Sequence, residues 1–211
     1  MRLSPKSLCA ALAMMGVVFS TPCLAAPVND ASKYVESLGN RAVAIISNKA
    51  FSKEKKKAQI EQLFSENVDI PWVGRFVLGR FWRQTTDAQK AQYLKEYETF
   101  LVSHYATRFS DYTSGTFKIT DARDDGENEF TVSMQMQGGD ANAQPVMVDY
   151  RVRAGGPKGF KVFDVIVEGV SMITTQRSEF ASVVGSKGVD YLITQLANKT
   201  LAPPLDKPAT P

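Results

Sequence analysis

Residues 129–137, EFTVSMQMQ, alternate strictly between apolar and polar side chains. Because successive side chains of a β-strand point to opposite faces, this pattern predicts a strand with one apolar face. The members of that face are Phe130, Val132, Met134 and Met136. An apolar sheet face has to be covered, so the stretch also predicts other elements packed on it.

Three further segments extend this strand into a sheet. Residues 116–120, 145–153 and 160–167 are rich in β-branched and aromatic residues. The turn sequences that separate the segments are Asp125-Gly126, Gly138-Gly139 and Gly155-Gly156-Pro157. This arrangement predicts a four-stranded antiparallel meander.

The last two segments differ in how clearly they assign an apolar face. Residues 145–153 place their apolar members on one side: Val146, Val148, Tyr150 and Val152. Residues 160–167 offer two inward sets, which are Val162, Asp164 and Ile166, or Phe163, Val165 and Val167. A shift of one residue exchanges the two faces of a strand, so both choices stay open.

Helical spacing of apolar residues flanks the sheet on both sides in sequence. Before it, the predicted helices cover residues 29–49, a segment centred on Leu63, and a short segment that bends or ends near Gly79. After it, they cover residues 170–184 and 189–196. The sum is an α+β domain in which helices wrap a curved four-stranded antiparallel sheet.

One more helix precedes the sheet and is the most clearly marked. It begins with Thr86-Asp87-Ala88-Gln89, a capping-box sequence. Its apolar stripe consists of Tyr93, Leu94, Tyr97, Phe100, Leu101, His104, Tyr105 and Phe109. We expect this aromatic helix to lie at the centre of the helical layer.

The first 26 residues have the composition of an export signal. A cationic start and an apolar run from Leu8 to Phe19 precede Pro22 and two small residues. The run is too short to span a bilayer, so a cleaved signal peptide over residues 1–26 is predicted. Both cysteines, Cys9 and Cys23, lie inside it, which leaves the mature domain without a disulfide or a thiolate.

Charge narrows the possible partners. Loss of Arg2 and Lys6 with the leader lowers the formal net charge from +3 to +1, which gives no case for nucleic-acid binding. The local basic run Lys53–Lys57 is either a solvated helix face or a docking patch for anionic headgroups or an acidic partner. We expect a single domain over residues 27–200 and a disordered, proline-rich tail over residues 201–211.

Two long stretches resemble a family of transport proteins. They are IPWVGRFVLGRFWRQTTDAQKAQYLKEYETFLVSHYA at residues 70–106 and VFDVIVEGVSMITTQRSEFASVVGSKGVDYLITQL at residues 162–196. The chain resembles the MlaC family, the toluene-tolerance auxiliary proteins of ABC transporters, over residues 29–199. The most specific parts of the resemblance are LGRFWR and EGVSMITTQRSEF.

The resemblance implies a periplasmic lipid carrier. Members of this family shuttle phospholipid between an inner-membrane ABC transporter with MCE domains and an outer-membrane lipoprotein and porin complex. The implied fold is nuclear-transport-factor-like, with acyl chains held in an apolar pocket between sheet and helices. The hopanoid-associated HpnM branch carries the same signatures, so a hopanoid-related lipid is the alternative cargo.

A lipid carrier needs an apolar lining and few polar groups. A sixteen-carbon chain leaving a bilayer must recover on the order of 12 kcal/mol, at about 0.8 kcal/mol per methylene. The predicted lining comprises the helical residues Trp72, Phe76, Tyr97, Phe100, Leu101 and Tyr105 and the strand residues Met134, Met136, Val146, Val148 and Tyr150. For each of them the competing interpretation is an ordinary place in the core.

Nothing in the sequence favours catalysis. His104 is the single histidine and has no second ligand or acid at helical spacing, so we predict no catalytic residue, metal or cofactor. An isomerase or hydrolase would need a carboxylate and a tyrosine facing one pocket, and only Asp164 with Tyr150 remains geometrically possible. A third interpretation is an adaptor that carries nothing, which a solidly filled core would favour.

The arginines near the aromatic segments invite a phosphate-binding interpretation. They are Arg75, Arg80, Arg83 and Arg177. Arginine suits phosphate, but it also bonds helix ends and carboxylates such as Asp69. We expect the second, structural role for these residues.

Overall fold

A computed structural model of the protein describes residues 25–110, 115–138, 144–156 and 159–201. The side chains of residues 25, 26, 105 and 107–110 fall outside the description. The predicted leader up to residue 24, with its two cysteines, and the predicted tail beyond Leu201 also lie outside the described residues.

Helices, a sheet and two more helices follow one another along the chain, in the predicted order. The helices before the sheet are α1 (Ala25–Ser47), α2 (Lys53–Asn67), α3 (Ile70–Leu78), a 3-10 helix (Gly79–Gln84) and α4 (Asp87–Ser110). The strands are β1 (Gly115–Gly126), β2 (Glu129–Gly138), β3 (Val146–Gly156), β4 (Gly159–Val167) and β5 (Val170–Ser171). The last helices are α5 (Met172–Lys187) and α6 (Val189–Ala197).

The strands form one antiparallel meander in the order β1-β2-β3-β4-β5. The prediction of four strands was wrong by one, because the two residues of β5 fold back on Ile166 and Val167. Val170 therefore belongs to a strand and is 50% exposed, although the sequence pattern assigned it to the helical stripe of residues 170–184.

Strand β1 is longer than the predicted segment 116–120. A register shift at Thr120 breaks its alternation, and the charged residues that follow it read as a loop in the sequence. The turn after β1 is formed by Glu127 and Asn128, with φ of 54° and 63°, rather than by Asp125-Gly126. Two consecutive positive φ values are what a tight hairpin between twisted strands requires.

A bulge in β4 decides the choice that the sequence left open. Val152 pairs with Val162 whereas Arg151 pairs with Asp164, so Phe163 is an extra residue in the ladder. Val162 lies on the α1 side of the sheet before the bulge, and Val165 lies on the same side after it. Each predicted set was therefore correct for one half of the strand.

Capping explains where the helices begin. Thr86 and Gln89 form the predicted capping box, since the Gln89 amide donates to Thr86 Oγ1 at 3.2 Å and the Thr86 amide donates to Gln89 Oε1 at 3.1 Å. Asp69 accepts from the Trp72 amide at the start of α3. α3 ends at Gly79, whose φ of 57° an L side chain rarely adopts.

The apolar side chains divide into three buried clusters. The helical core contains side chains from α3, the 3-10 helix, α4, α5 and α6, together with Phe163 from β4. The sheet core joins α1 to β2, β3 and β4 through residues such as Val35, Val132 and Val152. A small third cluster of Ile46, Ile60, Leu63 and Ala106 joins α1, α2 and α4.

Candidate functional site

The strand residues predicted to line the pocket share one face of the sheet. Met134 lies opposite Val148, and Met136 lies opposite Val146, in the β2–β3 ladder. Tyr150 lies two residues beyond Val148, so it points to the same side. The structure therefore brings the five predicted strand residues together on the face that carries the sheet core.

Coverage of this face is incomplete. α1 buries Val132 and Val152 completely, yet Met136 and Tyr150 remain partly exposed and Val146 is 40% exposed. Burial still raises the pKa of the Tyr150 phenol, and the ring packs against the sheet core. Among the described residues, this apolar surface is most deeply buried around Val132 and Val152, against α1, and most exposed at Val146.

Strand β1 adds residues that were missing from the predicted lining. Phe117 and Ile119 pair with Met136 and Met134, so they extend the same face. Both are partly buried against the sheet core. The alternation of residues 116–120 places both side chains on one face and is a sequence signal for this role. The charged residues that follow give no sign that β1 continues.

The helical candidates on α4 lie elsewhere, inside the helical core. Tyr97, Phe100 and Leu101 are all at most 5% exposed. Tyr97 donates a hydrogen bond of 2.6 Å to Gln176 Oε1 on α5 and packs edge-on against Phe180 at a centroid distance of 6.0 Å. In this structure they fill the space between α4 and α5.

The remaining helical candidates border the helical core. Trp72 and Phe76 stack at a centroid distance of 5.2 Å. The guanidinium of Arg153 lies 4.4 Å from the Trp72 ring, and that of Arg177 lies 4.8 Å from the Phe76 ring. Both rings are therefore covered by cations. The hydrogen bonds to helix ends or carboxylates predicted for Arg177 stay a prediction.

The structure therefore separates the predicted lining into two groups. The strand residues belong to the sheet core, and the described helical residues belong to or border the helical core. Val68, at the end of α2, packs against both. The side chain of Tyr105 lies outside the described part of the chain, so its place in either group stays a prediction.

Asp164 serves the fold on the other side of the sheet. It is 3% exposed, and its carboxylate accepts from the Ser171 hydroxyl at 2.7 Å and from the Ile173 amide at 3.3 Å. These donors belong to the start of α5, where a negative charge is favoured. Burial nevertheless raises the pKa of Asp164, against the opposing effect of the hydrogen bonds from Ser171 and Ile173.

This placement separates Asp164 from Tyr150, the pair that the sequence left possible for an isomerase or hydrolase. Asp164 pairs with Arg151 in the ladder, whereas Tyr150 pairs with Val165. Neighbouring ladder positions point to opposite faces, so the carboxylate and the phenol do not share a pocket. Within the described ranges, no group of three His, Cys, Asp or Glu residues is placed to hold a metal ion.

A separate open groove lies between α1 and α2. Its volume is about 350 Å³, and it is lined by Arg41, Ala44, Ile45, Asn48, Phe51, Gln59, Gln62 and Leu63. The lining mixes polar and apolar groups, unlike the sheet face. Among the helices that the structure describes, none has the length and hydrophobicity to cross a bilayer.

Comparisons with known proteins agree on one family. The family model described as MlaC protein matches residues 36–198. The intermembrane phospholipid transport system binding protein MlaC of Haemophilus influenzae is 25% identical over 138 residues. That match spans 64% of this chain and 64% of the relative's own length.

A solved structure has the same fold. It is a phospholipid-binding protein from Ralstonia solanacearum in complex with a phospholipid, with a TM-score of 0.69 and 24% identity. The match covers 80% of this chain and 96% of that chain. It confirms the predicted class of fold, in which helices surround a curved antiparallel sheet.

Proposed function

The chain belongs to the MlaC protein family, and from that premise we propose that it is a phospholipid carrier without enzymatic activity. The relative from Haemophilus influenzae is named for intermembrane phospholipid transport, and the structure from Ralstonia solanacearum holds a phospholipid. The resemblance seen in the sequence points to the same cargo. A carrier of this kind works in the periplasm, which agrees with the predicted export signal.

One observation carries the proposal, which is the incompletely covered apolar face of β1, β2 and β3. A contiguous apolar surface that reaches solvent often marks a site that binds an apolar ligand or a partner. Acyl chains would lie on Phe117, Met134, Met136 and Val148, between the sheet and α1. Two methionines suit this role, because their flexible thioethers adapt to chains of different shape.

The site needs no strong polar contact to hold a lipid. Burial of one sixteen-carbon chain returns on the order of 12 kcal/mol at about 0.8 kcal/mol per methylene. A polar group in the lining without a partner would subtract from this gain. We therefore expect selectivity by tail shape and volume, with the headgroup in water at the end of the face near Val146.

Exchange requires a path from the site to a membrane. We propose that docking to membrane complexes supplies it, namely an inner-membrane ABC transporter with MCE domains and an outer-membrane lipoprotein and porin complex. The acyl chains would be shielded from water by the sheet and α1 during transit and released on docking. The tails then pass between apolar surroundings without crossing water.

Native mass spectrometry tests the carrier directly. The protein is purified from the periplasm without detergent, and bound lipid is extracted and identified. A bound phospholipid mass is the expected result, and a hopanoid mass would transfer the chain to the alternative cargo. Protein that is empty, and that stays empty after incubation with liposomes, would contradict lipid carriage.

A pair of neighbouring substitutions tests the proposed face. Met136→Arg places a charge on the apolar face of β2 and should abolish lipid retention, because a buried unpaired charge is strongly disfavoured. Gln135→Arg is the matched control, since Gln135 is exposed on the opposite face of the same strand. If folded Met136→Arg protein retains as much lipid as the control, the acyl chains lie elsewhere.

A further inference from the structure

Positive charge is concentrated where α1 turns into α2. Six of the residues from 41 to 57 are basic and Glu54 is the one acid, whereas the formal charge of the whole chain is only +3. The rest of the chain is therefore net negative. We call the five lysines of this region, Lys49, Lys53, Lys55, Lys56 and Lys57, the basic tip.

Several of these lysines are held in place at the surface. Lys55 is exposed, and its ammonium lies 4.2 Å from the centroid of the Phe51 ring. Lys56 donates to the carbonyl of Ile46 near the end of α1. Lys57 lies 4.0 Å from Glu61 and keeps 41% of its side chain exposed. An ordered cationic surface loses less conformational freedom on binding than a mobile one.

The position of the lysines is unfavourable for the helix itself. Four of them occupy the first two turns of α2, where the helix dipole already places positive charge and acidic residues are preferred. The helix starts because the Ser52 hydroxyl accepts from the Lys55 amide, and Glu54 supplies the favourable charge. Positive charge at this position therefore does not help the helix to start, and the concentration of lysines indicates a partner.

The residue type indicates what that partner is. Protein interfaces are depleted in lysine and enriched in arginine, whose planar fork recognises carboxylates. A diffuse lysine cluster instead suits the delocalised negative potential of an anionic bilayer. Phe51, an aromatic neighbour that lines the open groove, adds apolar surface. We propose that the basic tip binds the surface of anionic phospholipid bilayers, at a site distinct from the apolar sheet face and independent of lipid carriage.

Vesicle flotation with the full protein tests this surface. We expect wild-type protein to float with phosphatidylcholine vesicles that contain roughly one third phosphatidylglycerol at about 0.05 M salt, and to be released at about 0.5 M. Pure phosphatidylcholine vesicles should not bind it. Lys53→Glu with Lys55→Glu should weaken binding about tenfold or more, because each lysine near an anionic surface contributes roughly fivefold.

The matched control reverses two exposed lysines elsewhere, Lys95→Glu with Lys187→Glu. This variant has the same net charge and should still bind. The tip variant should melt no lower than wild type, since acids suit the start of α2, so unfolding cannot mimic the expected loss.

Two outcomes would overturn the proposal. One is that wild-type protein does not bind anionic vesicles at low salt. The other is that both double variants bind these vesicles equally more weakly than wild type. Lipid identified by native mass spectrometry is a separate result. Protein that carries phospholipid but does not float would refute the basic tip alone, whereas empty protein that floats would refute carriage alone.

Discussion

At the scale of single residues, the buried polar groups show what holds the strand-to-helix junction in place. Asp164 connects β4 to the start of α5 through Ser171 and Ile173. The sequence pattern could not reveal this role, because one extra residue at Phe163 decides which way Asp164 points. A regular strand would place Asp164 on the same face as Val162, and the alternation of residue types contains no signal for the bulge.

We predict that Asp164→Ala lowers the free energy of unfolding by about 1–3 kcal/mol, since the buried Ile173 amide would lose its acceptor. Urea denaturation of both proteins at pH 7 measures the difference. Thr120→Ala, at an exposed strand position, is a control that should change stability much less.

The difference in free energy of unfolding between wild type and Asp164→Ala should also depend on pH, in a direction that the raised pKa fixes. Burial raises the native pKa of Asp164 above its ordinary value of 3.8, so the folded protein binds this proton more tightly than the unfolded chain does. Wild type should therefore gain stability relative to Asp164→Ala as the pH falls from the raised native pKa towards 3.8. A stability difference between the two proteins that becomes smaller as the pH falls towards 3.8 would show that the ionised carboxylate is the favoured native form.

At the scale of elements, the helices were predicted better than the strands. Thr86 and Gln89 mark a helix start with local chemistry that depends on four residues. β1 depends on pairing with β2, and its charged second half has no local strand signal. A local capping signal can therefore predict where a helix begins. The length and register of a strand depend on the strand with which it pairs.

Contact between α3 and α4 supplies a test at this scale. A Cβ on Gly74 would lie 2.8 Å from Leu94 Cδ2 and 3.0 Å from Tyr97 Cδ1. Gly74→Ala should therefore reduce stability by about 1–2 kcal/mol, as the cost of overpacking exceeds the gain in helix propensity. Thermal and urea denaturation would measure the loss.

The control for this prediction lies in α5. A Cβ on Gly185 would have Phe81 as its nearest neighbour, at 4.0 Å. Gly185→Ala should raise stability by about 0.5–1 kcal/mol, because only the propensity gain applies. Equal effects of the two substitutions would mean that the α3–α4 contact is looser than the structure shows.

At the scale of the whole molecule, the apolar residues had to be divided between cores. The sequence identified both the aromatic stripe of α4 and the apolar face of the strands, but it joined them into one lining. In the structure Tyr97 donates a hydrogen bond to Gln176 within the helical core. Met134 instead lies opposite Val148 on the sheet. An apolar stripe indicates that one side of a helix or strand is buried, but it does not indicate which element covers that side.

Lipid carriage should be visible as stability of the whole domain. A ligand that binds only the folded state adds about 2.7 kcal/mol at one hundred times its Kd. Delipidated protein should melt several degrees below the lipid-loaded form in calorimetry, and reloading with phospholipid should restore the difference. Delipidated Met136→Arg protein should show no such gain, and an equal gain in it would place the stabilising lipid outside the sheet face.

The bulge at Phe163 makes β4 the strand on which both cores depend. Removing that residue would regularise the ladder and leave Asp164 and Val165 on their present faces, but it would take from the helical core the ring that packs edge-on against Trp72. A residue lost after Asp164 would instead exchange the two faces of the rest of the strand. Over evolutionary time we expect related chains to vary in length at the hairpin between β3 and β4 and to keep the spacing from Asp164 to Ser171 fixed, because the Ser171 hydroxyl donates to Asp164.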